Sequence, residues 1–261
     1  MIKLAANLTF LFNEVEFLGR FEAAARAGFR GVEYLFPYAY EKRALVEHLG
    51  VHDLTQVLFN LPPGDFAAGE RGIACLPDRV GEFQDGVGMA LDYAKALGCR
   101  QLNCLAGILG GNPEAAHRTL VDNLKFASRE LGLAGIRLNI EPINTRDIPG
   151  FFLRRTEQAL RIIDEVGASN LFLQYDIYHM QIMEGDLAAT LERSIGKVAH
   201  VQLADNPGRH EPGTGEINYP FLFRRLRELG YDGWIGCEYK PSSSTAASLS
   251  WIDAYRDSLG G

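Results

Sequence analysis

The run Leu171-Phe172-Leu173-Gln174-Tyr175-Asp176, the helical stretch from Asp186 to Ile195, and the run Val198-Ala199-His200-Val201-Gln202-Leu203 read as strand, helix and strand. Strands joined through a helix pair in parallel, because the crossover returns the chain to the same end of the sheet. The same unit recurs in both directions. Toward the C-terminus come helix Tyr219 to Leu229, strand Trp234 to Glu238 and a last helix from about Ser244 to Leu259. Toward the N-terminus come strand Arg137 to Glu141 with helix Thr156 to Val166, and strand Gln101 to Leu105 with helix Pro113 to Leu131. Before them lies strand Leu54 to Asn60, with a Pro/Gly-rich loop from Leu61 to Gly72 and a helix from about Arg79 to Leu97. The first two units are Leu4 to Phe10 with helix Glu16 to Ala27, and Gly31 to Leu35 with helix Tyr40 to Leu49. Gly28 and Gly50 are expected to stop those two helices, since glycine enters the left-handed region cheaply.

Eight such units can close into a barrel or spread into an open, doubly wound sheet. An open sheet that binds a dinucleotide carries a glycine-rich turn after its first strand. Here that turn is Leu11-Phe12-Asn13-Glu14, without glycine. The length of 261 residues suits a (β/α)8 TIM barrel, which runs to about 250. The expected fold is therefore α/β, one TIM barrel domain over 1–261. No charge block or low-complexity linker divides the chain, and Ser242-Ser243-Ser244-Thr245 reads as the join to the last helix, with a hydroxyl residue as N-cap.

Composition narrows the function classes. With 47% hydrophobic and 23% charged residues, the chain can bury a large core. A formal net charge of −7 disfavours nucleic acid and anionic membranes as partners. No apolar stretch reaches the length of a membrane span, and the first ten residues read as a strand rather than a secretion signal, so a cytoplasmic protein is expected. Cys75, Cys99, Cys104 and Cys237 are scattered without a Cys-x-x-Cys pair, which fits buried free thiols.

The chemistry should lie where barrel strands end. Four consecutive strands each carry a carboxylate or amide oxygen there: Glu141, Asp176, Gln202 and Glu238. Each is about one strand–helix unit from the next, and neighbouring strands lie about 4.8 Å apart, so the side chains can converge. Three crowded carboxylates repel, and a divalent cation relieves the repulsion. An all-oxygen donor set favours Mg2+ or Mn2+. His179 and Arg209 suit the same rim as substrate contacts, His179 as a donor to a substrate oxygen and Arg209 as a fork for a carboxylate. The prolines and glycines of 205–216 should hold Arg209 in a fixed path. Lys240 either faces the pocket or pairs locally. Asn7, Phe10, Phe12, Phe59 and Asn60 either limit pocket size or pack.

Several longer pieces carry a resemblance: Glu141-Pro142-Ile143-Asn144, Asp176-Ile177-Tyr178-His179, the stretch His200-Val201-Gln202-Leu203-Ala204-Asp205-Asn206-Pro207-Gly208-Arg209-His210-Glu211-Pro212-Gly213-Thr214-Gly215-Glu216, and Gly230 to Tyr239. On these the whole chain resembles the hydroxypyruvate isomerase family of the xylose-isomerase-like TIM barrel superfamily. The resemblance implies metal ligation by Glu141, Asp176, Gln202 and Glu238, with Glu141 and Glu238 doubling as the acid/base pair. It implies a metal-dependent aldose–ketose type isomerase acting on a small 2-oxo acid, hydroxypyruvate to tartronate semialdehyde, through a metal-bound enediolate. The related ketose 3-epimerases carry histidine where this chain has Gln202, and the superfamily's zinc endonucleases use many histidines, against six here. Isomerisation of 2-oxo-tetronate is the alternative, with 3-epimerisation of a ketose behind it. A silent binding protein on the same scaffold should have lost Glu141 or Glu238, and both are present. Trp251 and Tyr255 are readable as core or as the interface of a homo-oligomer.

Overall fold

The structure, a computed structural model, describes residues 2–260. Along β7 (Val198–Leu203), His200 and Gln202 alternate with Val201 and Leu203, and all four are buried. His200 meets Glu33 on β2 (Gly31–Glu33) and Gln101 on β4 (Gln101–Cys104). β7 is hydrogen-bonded only to β6 (Leu171–Asp176) and β8 (Trp234–Cys237), so these contacts cross the lumen of a closed barrel. One phase of the strand alternation thus faces inward and the other faces the helices. Inward lie Asn7 of β1 (Lys3–Asn7), Asn60 of β3 (Thr55–Asn60), Asn103 of β4, Asn139 of β5 (Arg137–Ile140) and Gln174 of β6, all buried. Outward lie Leu102, Leu138, Ile140, Leu173, Tyr175, Val201, Leu203 and Ile235, in the apolar core.

All eight strands pair in parallel in sequence order, and β8 closes on β1. This is a single-domain TIM barrel. Most such barrels fill the lumen with branched apolar side chains. Here amides, a glutamate and a histidine occupy it, which is tolerable only where hydrogen bonds replace lost water.

Around the barrel run α1 (Gly19–Arg26), α2 (Lys42–Val51), α3 (Val80–Leu97), α4 (Pro113–Gly132), α5 (Thr156–Val166), α6 (Ile177–Met183), α7 (Leu187–Ser194), α8 (Tyr219–Glu228), α9 (Thr245–Ser248), α10 (Ser250–Ala254) and α11 (Arg256–Leu259). Asn112, Asp176, Asn218 and Ser244 cap α4, α6, α8 and α9 through their side chains.

The elements depart from the sequence expectations in several places. β1 ends at Asn7 rather than Phe10, because the Asn7 carbonyl accepts from Phe10 and Leu11 N–H and turns the chain. Gly28 does take a left-handed φ of 93°, but Gly50 lies inside α2, and the turn falls at Asp53, φ 51°. The expected last helix is three short ones, broken at Leu249 and Tyr255, whose ψ values of −5° and 15° leave the helical range. This bend lets buried Trp251 stack on Phe223 at 5.9 Å, so Trp251 is core. Helix α6, directly after β6, was not anticipated. The four cysteines are free and buried, as expected. No helix among the described residues is long and apolar enough to cross a membrane.

Candidate active site

The C-terminal ends of the strands open on a cavity of about 660 Å3, lined among others by Glu141, His179, Gln202, Arg209, Glu238 and Lys240. Asp176 lies beneath it, fully buried. Glu141 and Glu238 stand one residue beyond β5 and β8, where the ladder has ended and the side chain still points inward. All seven residues expected from the sequence are therefore at one mouth, although only some of them touch.

Asp176 serves two purposes with two oxygens. Its Oδ1 accepts from the N–H of Tyr178 at 2.7 Å and of His179 at 3.2 Å, capping α6. Its Oδ2 is buried with no hydrogen-bond partner. Glu141, Asp176 and His179 offer ligand atoms within 4.8 Å of one another. His179 is not the natural third ligand, however. Asn144 Oδ1 accepts from the backbone N–H of Arg146 and Asp147, which turns its Nδ2 toward His179 Nδ1 at 2.7 Å. An acceptor at Nδ1 leaves the proton of a neutral imidazole on Nε2. Burial pushes the His179 pKa well below its usual value, and Arg209 adds to this, so the ring is neutral. Its Nε2–H lies 3.6 Å from Asp176 Oδ2 and 3.9 Å from Glu141 Oε1, a donor rather than a ligand.

The other carboxylate, Glu238, is bound from three sides. Its Oε1 accepts from Arg209 Nη2 at 2.5 Å, and its Oε2 from Gln202 Nε2 at 2.6 Å and Asn7 Nδ2 at 2.9 Å. Arg209 has a left-handed φ of 58° and lies over the rings of Phe10 and Tyr178. Its loop is stiff, as the prolines and glycines implied. The buried Asp205 carboxylate accepts from the N–H groups of Asn206, Gly213 and Ile217. At Gly215 a Cβ would come 2.2 Å from the Asn206 carbonyl oxygen. Arg209 lines the cavity but its guanidinium is engaged by Glu238, which qualifies its expected role as a free carboxylate fork. Its Nε is buried without a partner. Lys240 is exposed at the rim and makes no side-chain ion pair among the described residues.

Burial and mutual repulsion raise the acids. Glu141 is pushed well above the usual carboxylate range, first by burial and then by Glu238 and Asp176. Burial also lifts Glu238 to about 8, with Asp176 and Glu33 adding and Arg209 opposing. Asp176 is raised by burial against the pull of Arg209. The Arg209 guanidinium thus faces Glu238, Asp176, Glu141 and Asp147, and Asp176 Oδ2 is unsatisfied. A divalent cation among Glu141, Asp176, Glu238 and the Gln202 oxygen fits that donor set and would offset the repulsion.

Strand-end reasoning missed Glu33 and His200. Both are fully buried and hydrogen-bonded to each other at 2.7 Å below Gln202. β2 ends at Glu33 and not at Leu35, so Glu33 is a strand-end carboxylate that the expected strand bounds concealed. Leu35 N–H donates to Thr9 Oγ1 instead of continuing the ladder. Arg71 and Arg146 also line the cavity and carried no sequence signal.

Comparison with known proteins places the chain. The sequence profile of the Xylose isomerase-like TIM barrel family matches residues 21–255. A hydroxypyruvate isomerase of Escherichia coli (strain K12) is 54% identical over 98% of this chain and 100% of its own length. A 2-oxo-tetronate isomerase of Cupriavidus necator is 49% identical over 98% of this chain and 99% of its own. A crystal structure from Brucella melitensis, described as an AP endonuclease of family 2, is 48% identical, covers 98% of this chain and 99% of its own, and superposes with a TM-score of 0.96.

Proposed function

The chain belongs to the xylose isomerase-like TIM barrel family, and on that premise we propose that it is a metal-dependent isomerase converting hydroxypyruvate to tartronate semialdehyde. That it is an isomerase of a small 2-oxo acid follows from its full-length relatives. The observation that carries the finer reading is the pair Glu141 and Glu238. Burial raises both acids, Glu238 to about 8, where a carboxyl both gives and takes a proton near neutral pH.

The reaction moves one carbon-bound proton. A glutamate, Glu141 or Glu238, takes a proton from C3 of hydroxypyruvate. The electron pair left behind forms the C2–C3 double bond of an enediolate. A proton is then delivered to C2, and the C3 hydroxyl proton passes to the C2 oxygen, which leaves an aldehyde at C3 and a hydroxyl at C2. Nothing is oxidised or reduced overall. His179 Nε2–H, beside Glu141 and Asp176, donates to the oxygen that gains charge. Arg209 holds Oε1 of Glu238, and Gln202 and Asn7 hold Oε2, so both oxygens are aimed. A divalent cation, Mg2+ or Mn2+, held by Glu141, Asp176, Gln202 and Glu238, would supply polarisation of the substrate oxygens.

A second reading is isomerisation of 2-oxo-tetronate, favoured by cavity size and by the cations Arg71, Arg146 and Lys240 around the rim, which suit a longer acid. Phosphodiester cleavage, raised by the description of the Brucella melitensis relative, is disfavoured by the net charge of −7.

Two measurements test the reading. Purified protein with Mg2+ or Mn2+ is given hydroxypyruvate, 2-oxo-tetronate and a free ketose, and the ratio of kcat/KM values assigns the substrate. Hydroxypyruvate is expected to be preferred, and a preference for 2-oxo-tetronate would transfer the assignment. Glu141→Gln and Glu238→Gln are expected to stay folded while kcat falls at least about 100-fold each. Full activity in either variant, or in metal-stripped protein, refutes the mechanism.

A further inference from the structure

We propose that Glu33 and His200 form a positioning pair that decides which end of the Gln202 side-chain amide faces the cation site. The inference rests on the metal reading above and deepens it.

An amide side chain coordinates a cation through oxygen only, and its two ends are nearly the same size. Something must therefore hold the nitrogen away from the cation. Glu33 Oε1 accepts from Gln202 Nε2 at 2.7 Å and from Asn7 Nδ2 at 3.0 Å. An oxygen that already accepts from Asn7 Nδ2 can accept from an amide nitrogen but takes nothing from an amide oxygen, so the contact selects the nitrogen end of Gln202. The Gln202 oxygen is thereby turned to the opposite side, where it accepts from Gln174 Nε2 at 2.7 Å. One of its two lone pairs remains for a cation. Glu238 Oε2 also accepts from Gln202 Nε2, at 2.6 Å. Glu238 is, however, itself in the proposed ligand and proton-carrying set, and Glu33 is the acceptor that stays when Glu238 is engaged elsewhere.

His200 aims Glu33. Gln101 Nε2 lies 3.3 Å from His200 Nδ1 and donates to it, which leaves the imidazole proton on Nε2. That proton is given to Glu33 Oε2 at 2.7 Å, so Oε1 is the oxygen left for Gln202. The carboxyl needs room in the lumen, and β8 provides it. Gly236 is the ladder partner of Gln202, and a Cβ there would stand 2.3 Å from Glu33 Oε1. Residues of four strands, β2, β4, β7 and β8, thus serve one amide. Second-layer partners of this kind commonly alter metal affinity by about 10–100-fold.

The test is Mn2+ affinity, measured by electron paramagnetic resonance of free Mn2+, in wild type, Glu33→Gln, Gln202→Glu and the double variant. Wild type should bind one Mn2+. In Glu33→Gln the affinity should fall about 10–100-fold. In the Gln202→Glu background the same change should cause no loss, because a carboxylate has two equal oxygens and needs no orienting. A role in packing alone would lower affinity equally in both backgrounds, and that result, or unchanged affinity in Glu33→Gln, overturns the proposal. Should Glu33→Gln fail to fold, the double variant restores a donor facing an acceptor. Binding there at least as tight as in Gln202→Glu supports the pair, and binding tenfold weaker overturns it. A wild type that binds no Mn2+ refutes the metal reading itself, a separate outcome.

Discussion

Glu238 accepts three hydrogen bonds, from Arg209, Gln202 and Asn7, yet its carboxyl is lifted from 4.5 to about 8. Loss of water outweighs those donors, and Asp176 and Glu33 add repulsion. The unfolded chain ionises this group near its ordinary value, so between about 4.5 and 8 the folded, metal-free chain holds the extra proton. This group's contribution to stability therefore falls as pH rises through that window. A cation must displace the proton. Mn2+ binding at pH 7 is expected to release about one proton or more, and the share from Glu238 should fade above pH 8 as that carboxyl ionises unaided. Calorimetry in two buffers of different ionisation heat measures it, and zero release at pH 7 contradicts the raised carboxyls. Glu238 was legible in the sequence because it terminates a strand. Glu33 was not, because a strand read from Gly31 to Leu35 puts it in mid-strand, whereas β2 ends at it.

At the level of elements, the loop after β7 is built around one buried side chain. Asp205→Ala would leave the buried N–H groups of Asn206 and Ile217 without their acceptor. At about 1–3 kcal/mol for each unpaired group, urea unfolding should show a loss of about 2–6 kcal/mol. Asp205→Asn keeps one acceptor oxygen and should lose less. A change below about 0.5 kcal/mol in Asp205→Ala would mean that the loop is held by other means. The sequence announced this loop through its glycines and prolines, and those residues report backbone shape directly. Helix α6 was silent for the opposite reason. Ile177-Tyr178-His179-Met180-Gln181-Ile182-Met183 is short and largely apolar, with no polar face to mark its period. Its start signal, Asp176, was read only as a metal oxygen, whereas one oxygen caps the helix and the other faces the site.

Over the whole molecule, the closed eightfold alternation was readable because strand and helix runs follow from local pattern alone, while the polar lumen was not. Which phase of a strand faces inward depends on closure, and Gln101, Asn103, Asn139, Gln174 and His200 acquire meaning only when β7 meets β2 and β4 across the barrel. Closure also concentrates charge. Glu33, Glu141, Asp176 and Glu238 are buried at one end of the lumen with Arg209 as the guanidinium among them. The folded state alone assembles this set, since its members come from β2, β6 and the ends of β5 and β8, so a cation that binds it stabilises folded over unfolded chain. At a hundredfold excess over Kd that linkage amounts to about 2.7 kcal/mol. For a chain of this size, roughly 2–4 °C of melting temperature accompanies each kcal/mol, which gives a rise of roughly 5–11 °C with Mn2+. Thermal melts of stripped protein, with and without Mn2+, check the shift. The Glu141→Gln/Glu238→Gln double variant should lose most of it, because two of the four proposed oxygens lose their charge together. An equal rise in wild type and double variant would mean that the ion binds elsewhere on the acidic surface, and the barrel mouth would then be no cation site.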